Sequence, residues 1–295
     1  MLESLSTIAA WKSSVASALA EGQNEDGGWG YYTSQTSSTE PTSLALLALS
    51  LIEPDSDSLD EAENWLIASQ RQDGFFITSP THSDISWLTP LAGLALNQRA
   101  RTSAVQAASQ ALLSEPVYTF VPLVPNVYGY DTSIPGWPWT AGAFSFVVPT
   151  SLAVIFLKKT GYWNESRVRQ GIQLLNNRVL ADGGWNYGEP KVLGGDLYPA
   201  VLPTALVLLA LAGEQNDQTE VALNWLLSQR GQISSLMSLG WATITLNVLG
   251  LLDDNWRNNV MNRWNELPAN RRGPMEASLC LLGLADNSDH LFAVT

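Results

Sequence analysis

One short string occurs twice in this chain, each time upstream of a run that begins with Pro-Thr. The string Asp-Gly-Gly-Trp-x-Tyr starts at Asp26 and again at Asp182. The Pro-Thr runs continue into sequence rich in Leu and Ala, and they start at Pro41, Pro149 and Pro203. Motifs that return along a chain are typical of repeat proteins, in which each repeat packs on its neighbours. We therefore expect an array of repeats.

Two kinds of helical segment alternate along the chain, because apolar residues recur at helical spacing in both but cover different fractions of the surface. Segments with charged or amide side chains on one face predict outer helices at 5–21, 59–70, 101–114, 165–178, 217–229 and 254–266. Segments that are apolar on nearly all sides predict inner helices at 41–52, 86–98, 149–160, 202–213, 240–251 and 275–285. The two kinds are expected to lie in separate layers.

Six pairs of outer and inner helices could stack as an open superhelix or close into a ring. An open stack would expose the apolar faces of the inner helices, so closure is favoured. The predicted fold is all-α, an (α/α)6 toroid of six helix-hairpin repeats around a central cavity. A repeat that runs from end to end predicts a single domain over residues 1–295, with repeats near 1–53, 54–99, 100–161, 162–214, 215–252 and 253–295.

Composition and charge exclude several classes of function. The net charge of -13, with only 15 Lys and Arg, repels phosphate backbones, so no nucleic-acid partner is expected. A single cysteine, Cys280, excludes an internal disulfide and a cysteine-rich zinc site. The chain has no apolar run long enough to span a bilayer and no secretory signal at its start. We expect no transmembrane segment and a cytoplasmic location.

A further pattern occurs at the ends of the outer helices. Leu19-x3-Gln23 is followed by Gly27-x-Trp29. The changed copies are Trp65-Leu66-x3-Gln70 followed by Asp73-Gly74-Phe75, with Phe in the Trp place, and Leu174-x3-Arg178 followed by Gly183-x-Trp185, with Arg in the Gln place. The pattern resembles the QW motif of squalene-hopene cyclases and related toroids, and the resemblance covers nearly the whole chain. It implies that the Gln caps a helix and the Trp stacks on the neighbouring turn, so that both hold repeats together.

The resemblance implies an isoprenoid-handling protein of the terpene cyclase and prenyltransferase superfamily, which binds an isoprenoid or other apolar small molecule in its central cavity. Acid-initiated cyclases of this group carry an Asp-x-Asp-Asp run at the start of an inner helix, but the best-matching place here, 201–204, has no acid. Prenyltransferase β-subunits hold zinc with Asp, Cys and His, a set that this chain does not match. We therefore expect no metal and no cofactor. Whether the chain is a cyclase-like or prenyltransferase-like enzyme stays open.

Acidic residues near the starts of inner helices are the catalytic candidates. Glu40 precedes Pro41 at the first inner helix and Glu276 lies near the start of the sixth, and ring closure makes these two helices neighbours. Two facing carboxyl groups in a poorly hydrated site would raise one pKa and create a general acid. The alternative is that each only complements the positive end of a helix. Asp131 and Asp196, in the loops before the third and fourth inner helices, form a second candidate pair.

The loops before the third and fourth inner helices are long and rich in aromatic residues. Such loops are usually functional, and aromatic faces can line an apolar pocket or stabilise a cation, although they could equally plug the mouth of the toroid. The gathered N-termini of the inner helices also suit a diphosphate, for which basic loop residues supply counter-charge. The candidate ligand-binding residues are Trp137, Trp139, Phe144, Phe146, Tyr187, Tyr198, Lys191 and Arg271.

These patterns leave more than one function open. Cyclases of the resembling group generally place the active site between a toroid and a second helical domain, so this single toroid would need either a protein partner that completes the cavity or an open-mouthed pocket. The main alternative is a non-catalytic binding or assembly module on the same fold. A glycosidase on an (α/α)6 ring is a further alternative and needs two carboxyl groups about 5 to 10 Å apart. A deep aromatic cavity favours isoprenoid binding, whereas a filled centre favours the module.

Overall fold

The computed structural model describes residues 2–85, 87–121, 129–192, 195–214 and 217–292. Within these ranges the outer helices are α1 (Leu2–Glu21), α3 (Ser58–Ser69), α5 (Thr102–Ser114), α7 (Ser166–Asn177), α9 (Asp217–Ser228) and α11 (Asp254–Glu266). The inner helices are α2 (Thr39–Ile52), α4 (Thr89–Gln98), α6 (Val147–Lys159), α8 (Val201–Ala210), α10 (Leu236–Val248) and α12 (Pro274–Leu284). All lie within about one turn of the predicted positions, and a short helix, α13 (Asp289–Phe292), follows them.

The inner helices form a closed ring. Each packs against the next in the order α2, α4, α6, α8, α10 and α12, and α12 packs back against α2. The outer helices lie on the outside of this ring, and α3, α5, α7, α9 and α11 pack mainly against the inner helix that precedes each in the chain, while α1 packs against α12 and α2. The all-α toroid predicted from the sequence is confirmed, and its closure buries the apolar faces that an open stack would expose. No helix within the described ranges is long and apolar enough to cross a membrane.

The six loops that run from an outer to an inner helix lie at the end of the ring where the inner helices start, which we call the mouth. Two of these loops contain short antiparallel hairpins, β1 (Ile77–Ser79) with β2 (His82–Ile85) and β3 (Lys191–Val192) with β4 (Gly195–Asp196). The loops before α10 and α12 are much shorter. The mouth is therefore built up on one side of the ring and low on the other.

The centre of the ring is packed with side chains. Every residue of α6 from Val147 to Lys158 is buried, and inner-helix residues that keep exposed surface at the mouth are Glu40, Val201, Met237, Ser238 and Glu276. At the other end, α13 contacts both α6 and α10, which are not neighbours in the ring. Its Phe292 is 2% exposed and lies 6.1 Å from Trp241 of α10 between ring centroids. The described residues thus correct the expectation of an open central cavity.

A hydrogen-bonded clamp fastens the loop to the inner helix in the first four repeats. In each, the backbone N–H of an aromatic residue donates to a threonine hydroxyl in the first turns of the inner helix; the pairs are Trp29 with Thr42, Phe76 with Thr89, Trp137 with Thr150 and Trp185 with Thr204. The indole of Trp29 also donates to the Leu19 carbonyl at the end of α1, at 2.8 Å. The tryptophan therefore caps the outer helix and anchors the inner one.

The glutamines of the pattern join one repeat to the next. The side-chain nitrogen of Gln23 donates to the carbonyls of Gly27, at 2.7 Å, and of Ser58 in the following outer helix, at 3.0 Å. Gln70 bonds in the same way to Gly74 and Ala104. Their role differs from the predicted helix cap, because they bridge two outer helices through the loop.

Backbone hydrogen bonds correct two assignments in the pattern. Phe76, and not Phe75, occupies the tryptophan place, because its N–H meets the threonine. In the fourth repeat, the bond from Leu180 N to the Gly184 carbonyl is the counterpart of that from Asn24 N to the Gly28 carbonyl. This alignment puts Val179 in the glutamine place. Arg178 lies one residue earlier, so its side chain is not part of the bridge between repeats.

Candidate functional site

The loop between α5 and α6 and the loop between α7 and α8 enclose a cavity at the mouth with a volume of about 200 Å³. Its wall is largely aromatic, and the rings on it are Tyr118, Phe120, Tyr130, Phe144 and Phe146. The Phe144 ring lies edge to face with Tyr118 at 4.8 Å and with Phe120 at 5.6 Å between centroids. This geometry is favoured for aromatic pairs. We call this space the aromatic cavity.

The two loops that enclose the aromatic cavity are tied to each other and to the ring. The N–H of Val147, at the start of α6, donates to the Tyr187 carbonyl of the other loop at 3.0 Å. The Asp131 N–H donates to the Asn177 side chain at the end of α7, also at 3.0 Å. The clamps of Trp137 and Trp185 fasten the base of each loop to α6 and α8. The cavity wall is therefore anchored to two inner helices that pack against each other.

Arg178 forms one side of the aromatic cavity. Its side chain is 5% exposed, and its guanidinium carbon lies 3.5 Å from the centroid of the Tyr130 ring. Burial lowers its pKa to about 10, while the charges of Tyr130, Glu189 and Asp131 act in the opposite direction. The guanidinium therefore stays charged at neutral pH. Its Nε and Nη1 atoms are buried and have no hydrogen-bond partner among the described residues.

Asp131 and Asp196 were predicted as a second carboxylate pair, but each makes contacts with residues of its own turn. Asp131 is exposed and accepts bonds from the N–H and hydroxyl of Ser133 at 2.8 and 2.6 Å, which lower its pKa. Asp196 in β4 forms an ion pair with Lys191 in β3 at 2.9 Å. Each carboxylate thus stabilises its own turn, and Lys191, a predicted anion ligand, already has a partner.

Glu40 lies at the start of α2 with a hydrogen bond to a tyrosine. Its Oε2 accepts from the Tyr31 hydroxyl at 2.8 Å. Burial raises the pKa of Glu40 to about 6, although the bond from Tyr31 acts to lower it. Protein surrounds the carboxyl on most sides, yet the residue keeps some exposed surface. This is the environment of a side chain that can hold and release a proton near neutral pH.

Glu276 lies at the start of α12 and lines a different space. It borders an open groove together with Tyr32, Met237 and Arg271. Burial raises the pKa of Glu276, and its Oε2 is buried without a hydrogen-bond partner. Although α2 and α12 are neighbours as predicted, burial and not the other carboxylate raises each pKa. These shifts do not support the predicted pair, which stays a prediction.

The predicted aromatic ligands are divided among three environments. Phe144 and Phe146 line the aromatic cavity, and Trp139 packs against Trp87 at 4.6 Å and Phe146 at 6.5 Å between centroids. Trp137 is the clamp tryptophan of the third repeat and is fully buried, so it is a structural residue and does not line the cavity. The exposed tyrosines of the neighbouring loop are Tyr187 and Tyr198.

No group of three or more His, Cys, Asp or Glu residues is arranged to hold a metal ion within the described ranges. Cys280 is fully buried in α12, and burial raises the pKa of its thiol. A buried thiol of this kind behaves as a small apolar side chain.

The structure adds site residues that the sequence did not point to. Tyr118 and Phe120 complete the aromatic wall, Tyr31 bonds to Glu40, and Glu189 borders the cavity beside Arg178. Aromatic density in the loops predicted the region, but only the folded loops bring these residues together. The sequence analysis named Arg178 only as a replacement for the glutamine of the repeat pattern, so it was not considered as a site residue.

The fold is shared with several solved structures. A variant of the type II terpene cyclase MstE from Scytonema, in complex with its substrate geranylgeranyl dihydroxybenzoate, has a TM-score of 0.64 at 15% identity over 97% of this chain and 99% of that one. A novel alpha-amylase from Clostridium perfringens has a TM-score of 0.65 at 12% identity, over 94% of this chain and 98% of that one. A protein from Actinoplanes has a TM-score of 0.62 at 13% identity, over 95% and 98%.

These likenesses show a toroid of the terpene-cyclase type and nothing finer, because identities are low and one fold carries different chemistries. No protein-family model and no curated protein sequence matches the chain. Function must therefore be argued from the site.

Proposed function

We propose that this chain is an isoprenoid-binding toroid that holds its ligand in the aromatic cavity at the mouth. The observation that carries the proposal is a wall of aromatic rings, in a loop pair clamped to the ring, around a space of about 200 Å³. An apolar ligand gains free energy by leaving water for such a wall, at roughly 25 cal/mol per Å² of buried apolar surface. The packed centre of the ring leaves the mouth as the place for a ligand.

The structural neighbours support this ligand class without deciding it. The MstE complex holds a prenylated aromatic acid on a toroid that matches nearly the full length of this chain. The alpha-amylase has a similar toroid, but a glycosidase needs two carboxyl groups that flank the bond to be broken. Among the described residues that line the aromatic cavity, Glu189 is the one carboxylate. Apolar binding therefore fits the site better than sugar hydrolysis.

The test is a titration of the purified protein with farnesol, a neutral isoprenoid, followed by intrinsic fluorescence. We expect saturable binding that Phe144→Ser weakens at least tenfold, because this ring faces the cavity and is 46% exposed, so that its removal costs little stability. Tyr198→Ser is the matched control in the adjacent loop, outside the cavity wall. No saturable binding, or equal affinity in both variants, would overturn the proposal. Native mass spectrometry for a co-purified lipid provides an independent check.

Acid-initiated chemistry is a second, finer candidate. It rests on Glu40, whose pKa is raised to about 6 by burial, since a carboxyl that is partly protonated at neutral pH can donate a proton to an alkene. If Glu40 is the acid, Glu40→Gln abolishes conversion of a prenyl substrate while Asp196→Asn leaves it intact. Conversion that survives in Glu40→Gln assigns the chain to binding without catalysis.

A further inference from the structure

Arg178 is in an unusual state for a buried arginine. Two of its nitrogen atoms, Nε and Nη1, lie out of contact with solvent and donate to no acceptor in the described part of the chain. A buried donor without an acceptor costs about 1 to 3 kcal/mol, and more when the group is charged. Most buried polar groups in proteins have partners, so such an exception calls for an explanation.

The architecture does not require this side chain. The backbone N–H of Arg178 ends α7 by bonding to the carbonyls of Leu174 and Leu175, as the N–H of Gly22 does with Ala18 and Leu19 at the end of α1. Glycine performs the same task in the first repeat, so the helix end needs no particular side chain. Since Val179 holds the position of the bridging glutamines, Arg178 does not join repeats either.

The carboxylates near Arg178 are occupied by other donors. Glu189 accepts the Tyr130 hydroxyl at 3.2 Å, and Asp131 accepts the N–H and hydroxyl of Ser133. None of the carboxylates in the described ranges forms an ion pair with the guanidinium. Arg167, which stacks over Trp137, also has a buried Nη1 without a partner among the described residues. Unlike Arg178, however, it donates to the Gly136 carbonyl and faces the charge of Glu115.

We propose that Arg178 is the head-group subsite of the aromatic cavity and binds the carboxylate of an amphipathic ligand whose apolar part lies against the aromatic rings. A guanidinium presents parallel N–H groups that match the two oxygens of a carboxylate, and the bond is strong where water is excluded. Stacking on Tyr130 at 3.5 Å holds its plane in place. The subsite rests on the proposed function, because it specifies the ligand for the same cavity.

The experiment compares three probes at pH 7.5: farnesol, which is neutral; farnesoate, which has the same chain with a carboxylate; and benzoate, which has the carboxylate without the chain. Affinities are measured by isothermal titration calorimetry on the full chain. We expect farnesoate to bind at least tenfold more tightly than farnesol. Arg178→Met should remove this preference, because it removes the guanidinium that pairs with the carboxylate, and the readout is the ratio of the two affinities within the same variant.

Three further variants separate recognition of the head group from general charge and from misfolding. Lys191→Met removes one positive charge from the same mouth and should keep the preference for farnesoate. Glu189→Gln removes a negative charge from the cavity wall and should strengthen farnesoate binding relative to farnesol binding. Arg178→Lys keeps the charge but loses the planar fork, so it should keep only part of the preference. Thermal melting of each variant confirms that it folds.

The outcomes distinguish this subsite from the proposed function. Equal binding of farnesol and farnesoate to the wild-type chain, or a preference that persists in Arg178→Met, overturns the subsite while isoprenoid binding stands. Benzoate binding that depends on Arg178, with no binding of farnesol, overturns isoprenoid binding and supports the anion subsite. Absence of binding by all three probes overturns both.

Discussion

The first four repeats and the last two close the same ring in different ways. In the first four, an aromatic N–H bonded to a threonine hydroxyl fastens the loop to its inner helix, as Trp29 does with Thr42. In the last two, the loops are short and α10 packs closely on α12. A Cβ added to Gly240 would lie 2.6 Å from the Cβ of Leu279, and one added to Gly283 would lie 2.9 Å from Thr243. Glycine permits this close approach of the two helices.

The difference between the two sets of repeats indicates where this fold can accommodate a binding site. The clamp joins residues 13 positions apart in the first three repeats and 19 apart in the fourth. The extra residues of the fourth repeat accommodate the β3–β4 hairpin without disturbing the clamp. Loops fastened at both ends can vary without unfolding the ring. The last two repeats, which we call the packed side, have short loops and no such freedom. The aromatic cavity accordingly lies among the loops of the first four repeats, which we call the clamped side.

The largest expected effect comes from removal of a clamp ring. Trp185 is fully buried and its indole donates to the Leu175 carbonyl at 2.7 Å. Trp185→Ala should lower the free energy of unfolding by about 3 to 5 kcal/mol, because it leaves a cavity and an orphaned carbonyl. Tyr198→Ala is the control in the same loop, where the ring is 82% exposed, and should change it by less than about 0.5 kcal/mol. Urea denaturation of both variants measures the difference, and similar values would refute a structural role for the clamp.

An added methyl group between α10 and α12 should lower the free energy of unfolding. Gly240→Ala should lower the free energy of unfolding by about 1 to 3 kcal/mol, since the new methyl group collides with Leu279. Helix propensity alone predicts the opposite, a gain of about 1 kcal/mol. In Gly231→Ala an added methyl group meets no atom within 4 Å, so this variant should not be destabilised. A stabilised Gly240→Ala would show that α10 and α12 do not need the close approach.

Substitutions of two buried threonines, Thr42 in α2 and Thr243 in α10, allow the stabilities of the two sides of the ring to be compared directly. Thr42→Val removes the acceptor of the Trp29 N–H and should cost about 1 to 3 kcal/mol, because that N–H remains buried. Within the described residues, the Thr243 hydroxyl in α10 donates to the Leu239 carbonyl of its own helix, so Thr243→Val should be nearly neutral. Equal losses in denaturation experiments would remove the distinction between the two sides.

The last effect is a dependence of stability on pH, which comes from the Glu40 carboxyl group at the mouth. Glu40 at the clamped side has its pKa raised from 4.5 to about 6 by burial. A raised pKa means that the folded state binds the proton more tightly, so this contribution to stability is present below pH 4.5 and is lost as pH rises through about 6. In Glu40→Gln the loss, about 2 kcal/mol, should disappear.

Denaturation of the wild type and Glu40→Gln between pH 4 and 8 measures this effect, with Asp196→Asn as the control for an exposed carboxylate. A parallel pH dependence in the wild type and Glu40→Gln would mean that Glu40 titrates as it does in water. It would then also be a poor candidate for a proton donor.

Local chemistry explains which parts of the fold were predictable. The periodicity of apolar residues located all twelve helices of the ring, and the uniform apolarity of the inner ones implied closure. The repeat pattern failed at single-residue precision. Phe75 and Arg178 were assigned to places that Phe76 and Val179 occupy, because residue types were matched where a similar side chain stands one position away, and only the backbone hydrogen bonds fix the alignment.

The amino-acid sequence by itself determined the closed all-α ring and the aromatic loops at its mouth, because helical periodicity and loop composition are properties of short stretches of chain. Only the tertiary structure decided that the centre is packed, with Phe292 against Trp241, and that burial raises the pKa values of Glu40 and Glu276. It also brought Arg178 against Tyr130. Packing and electrostatics depend on distances between residues that are remote in the chain, and those distances exist only once the ring has closed.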